Sequence, residues 1–174
     1  MDGHDRARRA YERGRAKFAA GRAAPALAFG VAALVLAGDR GMGLAVSVGL
    51  ALGCGVLAFL GGPAGRAVPA GLLAGCVPFA LPLLVRGQVC PLGGSCEAWC
   101  VAACATGGAV AGAWLGWRSS TEAGGAWWLA TGVTLAGTAG ALGCTCVGLP
   151  GLAGMVLATL LSAPVTRRLA LHSA

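Results

Sequence analysis

Charge is what this sequence has least of. Of its 174 residues only 11% are charged, against a hydrophobic share of 57%. A water-soluble domain gives roughly 25% of its residues to charge, because its surface faces water. A surface this poor in charge needs another solvent, and lipid is the obvious one. Disorder is excluded as well despite the 31 glycines, since it goes with low hydrophobicity and high charge. No ionisable side chain falls within the five central apolar stretches, which argues against a proton-coupled pump or transporter. There is no phosphate-binding glycine loop with its lysine, no H-E-x-x-H, and no Ser–His–Asp set within reach. The expectation is a protein that is not an enzyme, with no catalytic residues and no cofactor. The net charge of +7 comes with no stacking or groove-reading motif, so nucleic acid is not an expected partner.

The few charges serve as rulers. Between Arg40 and Arg66 lie 25 uncharged residues, between Arg66 and Arg86 19, between Glu97 and Arg118 20, and between Glu122 and Arg167 44. A helix needs about 20 residues to cross a hydrocarbon core of ~30 Å, so these gaps hold five spans. A stretch from Ala23 to Gly38 makes a sixth if Phe18 to Ala20 join it and Arg22 snorkels to the headgroups. The expected spans are 20–38, 43–61, 67–85, 98–117, 126–143 and 149–165. The expected fold class is therefore all-α integral membrane, with about six transmembrane helices arranged as three hairpins. A basic amphipathic cytoplasmic segment (1–19) precedes a six-span membrane domain (20–166) and a short cytoplasmic tail (167–174).

Orientation follows from the basic residues. Seven of the thirteen lie in the first 22 positions: Arg6, Arg8, Arg9, Arg13, Arg15, Lys17 and Arg22. With both termini inside, these share the cytoplasmic side with Arg66, Arg118, Arg167 and Arg168, leaving only Arg40 and Arg86 outside. That N-in/C-in arrangement satisfies the positive-inside rule. Trp114, Trp117, Trp127 and Trp128 flank the inner loop, and Trp99 opens span four at the outer side. The expected location is a bacterial inner membrane. The basic region is too long and too acidic, with Asp2, Asp5 and Glu12, for a secretory signal. Ala7, Ala10, Tyr11, Gly14 and Phe18 fall on one helical face of it. Arg6, Arg8, Arg9, Arg13, Arg15 and Lys17 make it a candidate surface for anionic headgroups or a cytoplasmic partner.

Small residues recur four apart, as Gly49/Gly53, Gly71/Gly75, Gly108/Gly112/Gly116 and Gly132/Ala136/Gly140. That spacing lets two backbones approach in lipid, within the chain or in a helix-packed homo-oligomer. Thr131, Thr134 and Thr138 are placed to hydrogen-bond across a helix pair. Pro78 and Pro82 fall mid-span, where proline kinks a helix; the expected role is structural, with a broken helix at a binding site as the alternative.

Eight cysteines are the one chemical signal. Cys54 and Cys76 sit mid-span and read as small apolar residues. Cys96, Cys100 and Cys104 share one helical face. Cys90, Cys96, Cys144 and Cys146 all emerge on the outer side. They are the disulfide candidates, because an outer compartment is oxidising. The alternative is a soft-metal site from Cys90, Cys96, Cys100, Cys144 and Cys146, since thiolates favour Cu(I) and Zn(II). Packing without chemistry is the third reading, and no C-x-x-C supports a thiol oxidoreductase. The C-x5-C from Cys90 to Cys96, and Cys144 and Cys146 followed by Pro150, resemble elements of mercuric-ion transporters. The order along the chain is reversed and an adjacent cysteine pair is missing. The six-span layout with a charged N-terminus is similar in plan to multispan anti-sigma factors, without a shared residue motif. The readings carried forward are a structural or regulatory membrane protein with disulfide-tied outer loops, a soft-metal binder or transporter, and a membrane-anchored regulator docking through its N-terminus.

Overall fold

The computed structural model describes residues 3–36, 40–88, 96–144 and 148–172. Six helices follow one another: α1 (Gly3–Leu36), α2 (Arg40–Leu60), α3 (Gly62–Gln88), α4 (Cys96–Ser119), α5 (Gly125–Cys144) and α6 (Leu149–His172). Backbone groups in hydrocarbon must bond within their own segment, and a helix is the form that lets an uncharged run do so. Gly43–Leu60, Gly62–Gln88, Cys96–Ser119 and Leu149–His172 are long and apolar enough to cross a membrane. At 1.5 Å per residue a 24-residue helix such as α4 extends about 36 Å, beyond the ~30 Å hydrocarbon core. The chain is a multi-pass membrane protein.

Burial agrees with a lipid solvent. Among the described residues ten of the 21 buried hydrophobic ones are alanines, whereas Leu27, Leu52, Leu60, Leu84 and Leu161 are each at least 60% exposed. In water this would hydrate the largest apolar groups and hide the smallest. In lipid, bulk faces the acyl chains and small residues let helices close on one another.

The deepest helix pairings join α4 with α6, α3 with α5, and α1 with α2; α5 and α6, neighbours in the chain, meet over a much shorter stretch. The glycines explain the first two. Gly108 lies against Met155 and Thr159, Gly112 against Thr159 and Ser162, and Gly116 against Ala163 and Thr166. Gly71 lies against Gly132 and Leu135, and Gly75 against Ala136 and Ala139, whose Cβ would be 2.7 Å from a Cβ on Gly75. In both pairs the numbers rise together, so α4 runs parallel to α6 and α3 parallel to α5. In α1 and α2 they run oppositely: Gly30 meets Ser47 and Arg15 meets Phe59.

α5 touches all five other helices. Its 20 residues include five glycines and three threonines, a composition suited to a helix surrounded by helices. Trp128 is its anchor, 1% exposed among Ala67, Ala74, Ala111 and Leu115, whereas Trp127 is 76% exposed. Pro78 is buried between α4 and α5: a Cβ on Gly107 would stand 2.7 Å from its Cα, and one on Gly140 2.9 Å from its Cγ. This is the structural role for Pro78.

One sequence expectation is corrected. The threonines of α5 do not bond across helices: Thr131, Thr134 and Thr138 donate to the carbonyls of Trp127, Ala130 and Thr134 at 2.9–3.0 Å. The hydroxyl reaches its own preceding turn more readily than a neighbouring helix. Gly49 and Gly53 line no helix contact, with nothing within 4 Å of an added Cβ. Further, the basic segment and the first span form one continuous helix, α1, through Gly21 and Pro25.

Candidate functional site: a basic end and a cysteine end

The helix directions sort the chemistry-bearing residues onto two ends of the bundle. At one end α2 reverses into α3 through Gly61 and Gly62, with φ of 75° and 66°. A side chain at either position would be strained in this left-handed region. The Gly61 N–H donates to the Leu57 carbonyl at 3.0 Å, closing α2. The α4–α5 loop lies alongside: a Cβ on Gly124 would stand 2.6 Å from Pro63 Cγ.

Guanidinium groups converge on these two connections. Arg22 Nη1 donates to the Gly65 carbonyl at 2.8 Å and stacks over the Phe18 ring at 4.3 Å. Arg66 Nη2 donates to the Ala123 carbonyl at 3.4 Å. Arg167 places Nη2 3.0 Å from where a Gly125 Cβ would lie. Arg118 pairs with Glu122 at 3.9 Å. Arg15 donates to the Phe59 carbonyl and lies over the Phe59 ring at 4.6 Å. Along the rest of the basic part of α1, Arg8 pairs with Glu12 at 2.9 Å, Arg9 donates to the Asp5 carbonyl at 3.1 Å, and Arg6, Arg13 and Lys17 are exposed. The two connections, and the meeting of Arg22, Arg66 and Arg167 around them, were not visible in the sequence. Only the sign of the charge at that end was.

At the other end stand the start of α4, the end of α5 and the start of α6. Cys96 opens α4. Cys144 closes α5; its side chain, and all of Cys90 and Cys146, lie outside the described residues. Cys54, Cys76, Cys100 and Cys104 form no disulfide. Cys100 and Cys104 are buried, and Cys104 packs beside Met155. Among the described residues no group of three or more His, Cys, Asp or Glu side chains could hold a metal. Of the five cysteines of the metal reading, only Cys96 and Cys100 have described side chains.

A groove of about 330 Å³ runs between α5 and α6, lined by Thr134, Gly137, Thr138, Leu152, Val156 and Leu160 among others. The hydroxyls of Thr134 and Thr138 are bonded to their own helix, so the groove presents hydrocarbon. A smaller one of about 220 Å³ lies between α3 and α4, beside Leu73, Val77 and Trp114.

No family model matches this chain, and neither a curated protein nor a solved structure does. The reading of function therefore rests on the two ends.

Proposed function

We propose that this is a non-enzymatic, six-span protein of a bacterial inner membrane, in a structural or regulatory role, with its basic end cytoplasmic and its cysteine end outside. A disulfide from Cys96 ties the outer connections. The observation that carries the reading is the separation of chemistry between ends: Arg22, Arg66, Arg118 and Arg167 surround two connections at one end, while Cys96 opens α4 and Cys144 closes α5 at the other. A cytoplasmic end attracts arginine, and a disulfide persists in an oxidising compartment.

Cys54, Cys76, Cys100 and Cys104 form no disulfide, which leaves Cys90, Cys144 or Cys146 as the proposed partner of Cys96. Pairing with Cys90 would close the α3–α4 connection on itself. Pairing with Cys144 or Cys146 would join it to the α5–α6 connection, reinforcing at the ends the parallel pairs that glycine holds mid-bundle. Alkylation of membranes without reduction, then digestion and mass spectrometry, should give a peptide linking Cys96 to one of these three. Recovery of Cys96 as an alkylated free thiol from unreduced membranes would overturn the disulfide.

A further inference from the structure

The basic end carries an electrostatic mismatch. A helix N-terminus bears partial positive charge and favours acidic residues in its first turn. α4 has Glu97 there and α1 has Asp5, but α3 and α5, which both start at the basic end, have none. They meet arginine instead: Arg66 stands five residues into α3, and Arg167 reaches from α6 to Gly125, the first residue of α5. Arg118 adds a third cation, and Glu122 is the one carboxylate of the connecting loop. The Arg167 Nε is buried and meets no hydrogen-bond acceptor, an arrangement that costs free energy until an acceptor arrives. Trp117 and Trp127, 58% and 76% exposed, stand on either side of this loop. Exposed tryptophan beside arginine marks the depth of lipid headgroups.

We propose that the α4–α5 loop, with Arg66 and Arg167, is a binding surface for an anionic phospholipid, whose phosphodiester lies between the starts of α3 and α5. The phosphate supplies the acceptor that Arg167 lacks and adds a charged one for Arg66 beside the Ala123 carbonyl, and its charge offsets the two helix ends. Trp117 and Trp127 flank the glycerol and upper acyl chains. Bidentate recognition suits arginine here more than lysine. The surface is separate from the projecting basic part of α1. It rests on membrane insertion alone, not on the disulfide or on which side of the membrane this end faces.

The test is native mass spectrometry of the full chain released from nanodiscs of phosphatidylcholine with or without phosphatidylglycerol, alongside lipid titration in detergent. Wild type should retain phosphatidylglycerol over phosphatidylcholine. Arg66→Gln and Arg167→Gln should each weaken that retention about tenfold, the scale of one charge-assisted bond. Arg86→Gln, at the other end, should leave it unchanged. Glu122→Gln, which removes the competing carboxylate and no packing, should strengthen it, so the idea stays testable if an arginine variant misfolds. Equal retention of the two lipids by wild type would overturn the proposal. So would unaltered retention in folded Arg66→Gln and Arg167→Gln, or displacement of the lipid by millimolar inorganic phosphate, which would indicate a free-phosphate site.

Discussion

Gly112→Leu is expected to part α4 from α6 and to destabilise the bundle by about 3 kcal/mol or more. A Cβ at Gly112 would meet the Thr159 carbonyl oxygen at 2.7 Å and the Thr159 Cα at 3.0 Å, besides Ser162 Oγ. Two of these are backbone atoms, so no side-chain rotation relieves the clash and the helices must move apart. The movement also opens the contacts of Gly108 and Gly116, one turn away on each side. In lipid nothing compensates, because association there depends on close packing rather than on escape from water. Thermal or SDS-induced unfolding in micelles reads the effect. Gly53→Leu is the matched control: nothing lies within 4 Å of its added Cβ, and its shift should stay within about 0.5 kcal/mol. Equal unfolding midpoints for the two variants would refute the pairing of α4 with α6.

Trp128→Ala should cost about 3 kcal/mol. Large aromatic truncations in a core cost about 3–5 kcal/mol in water; the low end applies because separated helices in lipid are not hydrated. Trp128 is 1% exposed and fills the space between α3, α4 and α5 beside Ala67, Ala74, Ala111 and Leu115. Four of its partners are small, including Ala136, and cannot collapse into the cavity. Trp127→Ala, one residue earlier and 76% exposed, should leave the unfolding midpoint nearly unchanged while reducing fluorescence. If the two substitutions shift the midpoint equally, Trp128 is not the anchor of α5.

The contrast between these tryptophans shows what the sequence could and could not disclose. Both adjoin the same loop, and interface placement is all that their position implies. The 100° turn between successive helical residues puts one toward lipid and the other among helices, and only the packed bundle says which is which. Helix positions were legible because the charged residues are so few that they bound each apolar run. The helix face of Gly108, Gly112 and Gly116 was legible from spacing. The partner was not, since four-residue spacing selects a face and not a neighbour; Gly49 and Gly53 have the same spacing and no neighbour. Chain order points to α5 against α6, yet the glycines of α3 and α4 draw α5 and α6 into parallel pairs with them instead. At the candidate ends, the sign of charge was readable from Arg66, Arg118 and Arg167. Their meeting with Ala123, Glu122 and Gly125 depends on two loops coming together, which no local pattern encodes.

The central claim is that the basic end faces the cytoplasm and the cysteine end faces outward. Single cysteines placed in a cysteine-free background test it most directly, with a membrane-impermeant maleimide applied to spheroplasts. Gln88→Cys, at the end of α3 beside the cysteine end, should be labelled in intact spheroplasts. Thr121→Cys, in the α4–α5 loop at the basic end, should be labelled only after permeabilisation. The reverse pattern, or labelling of both positions in intact spheroplasts, would contradict the account.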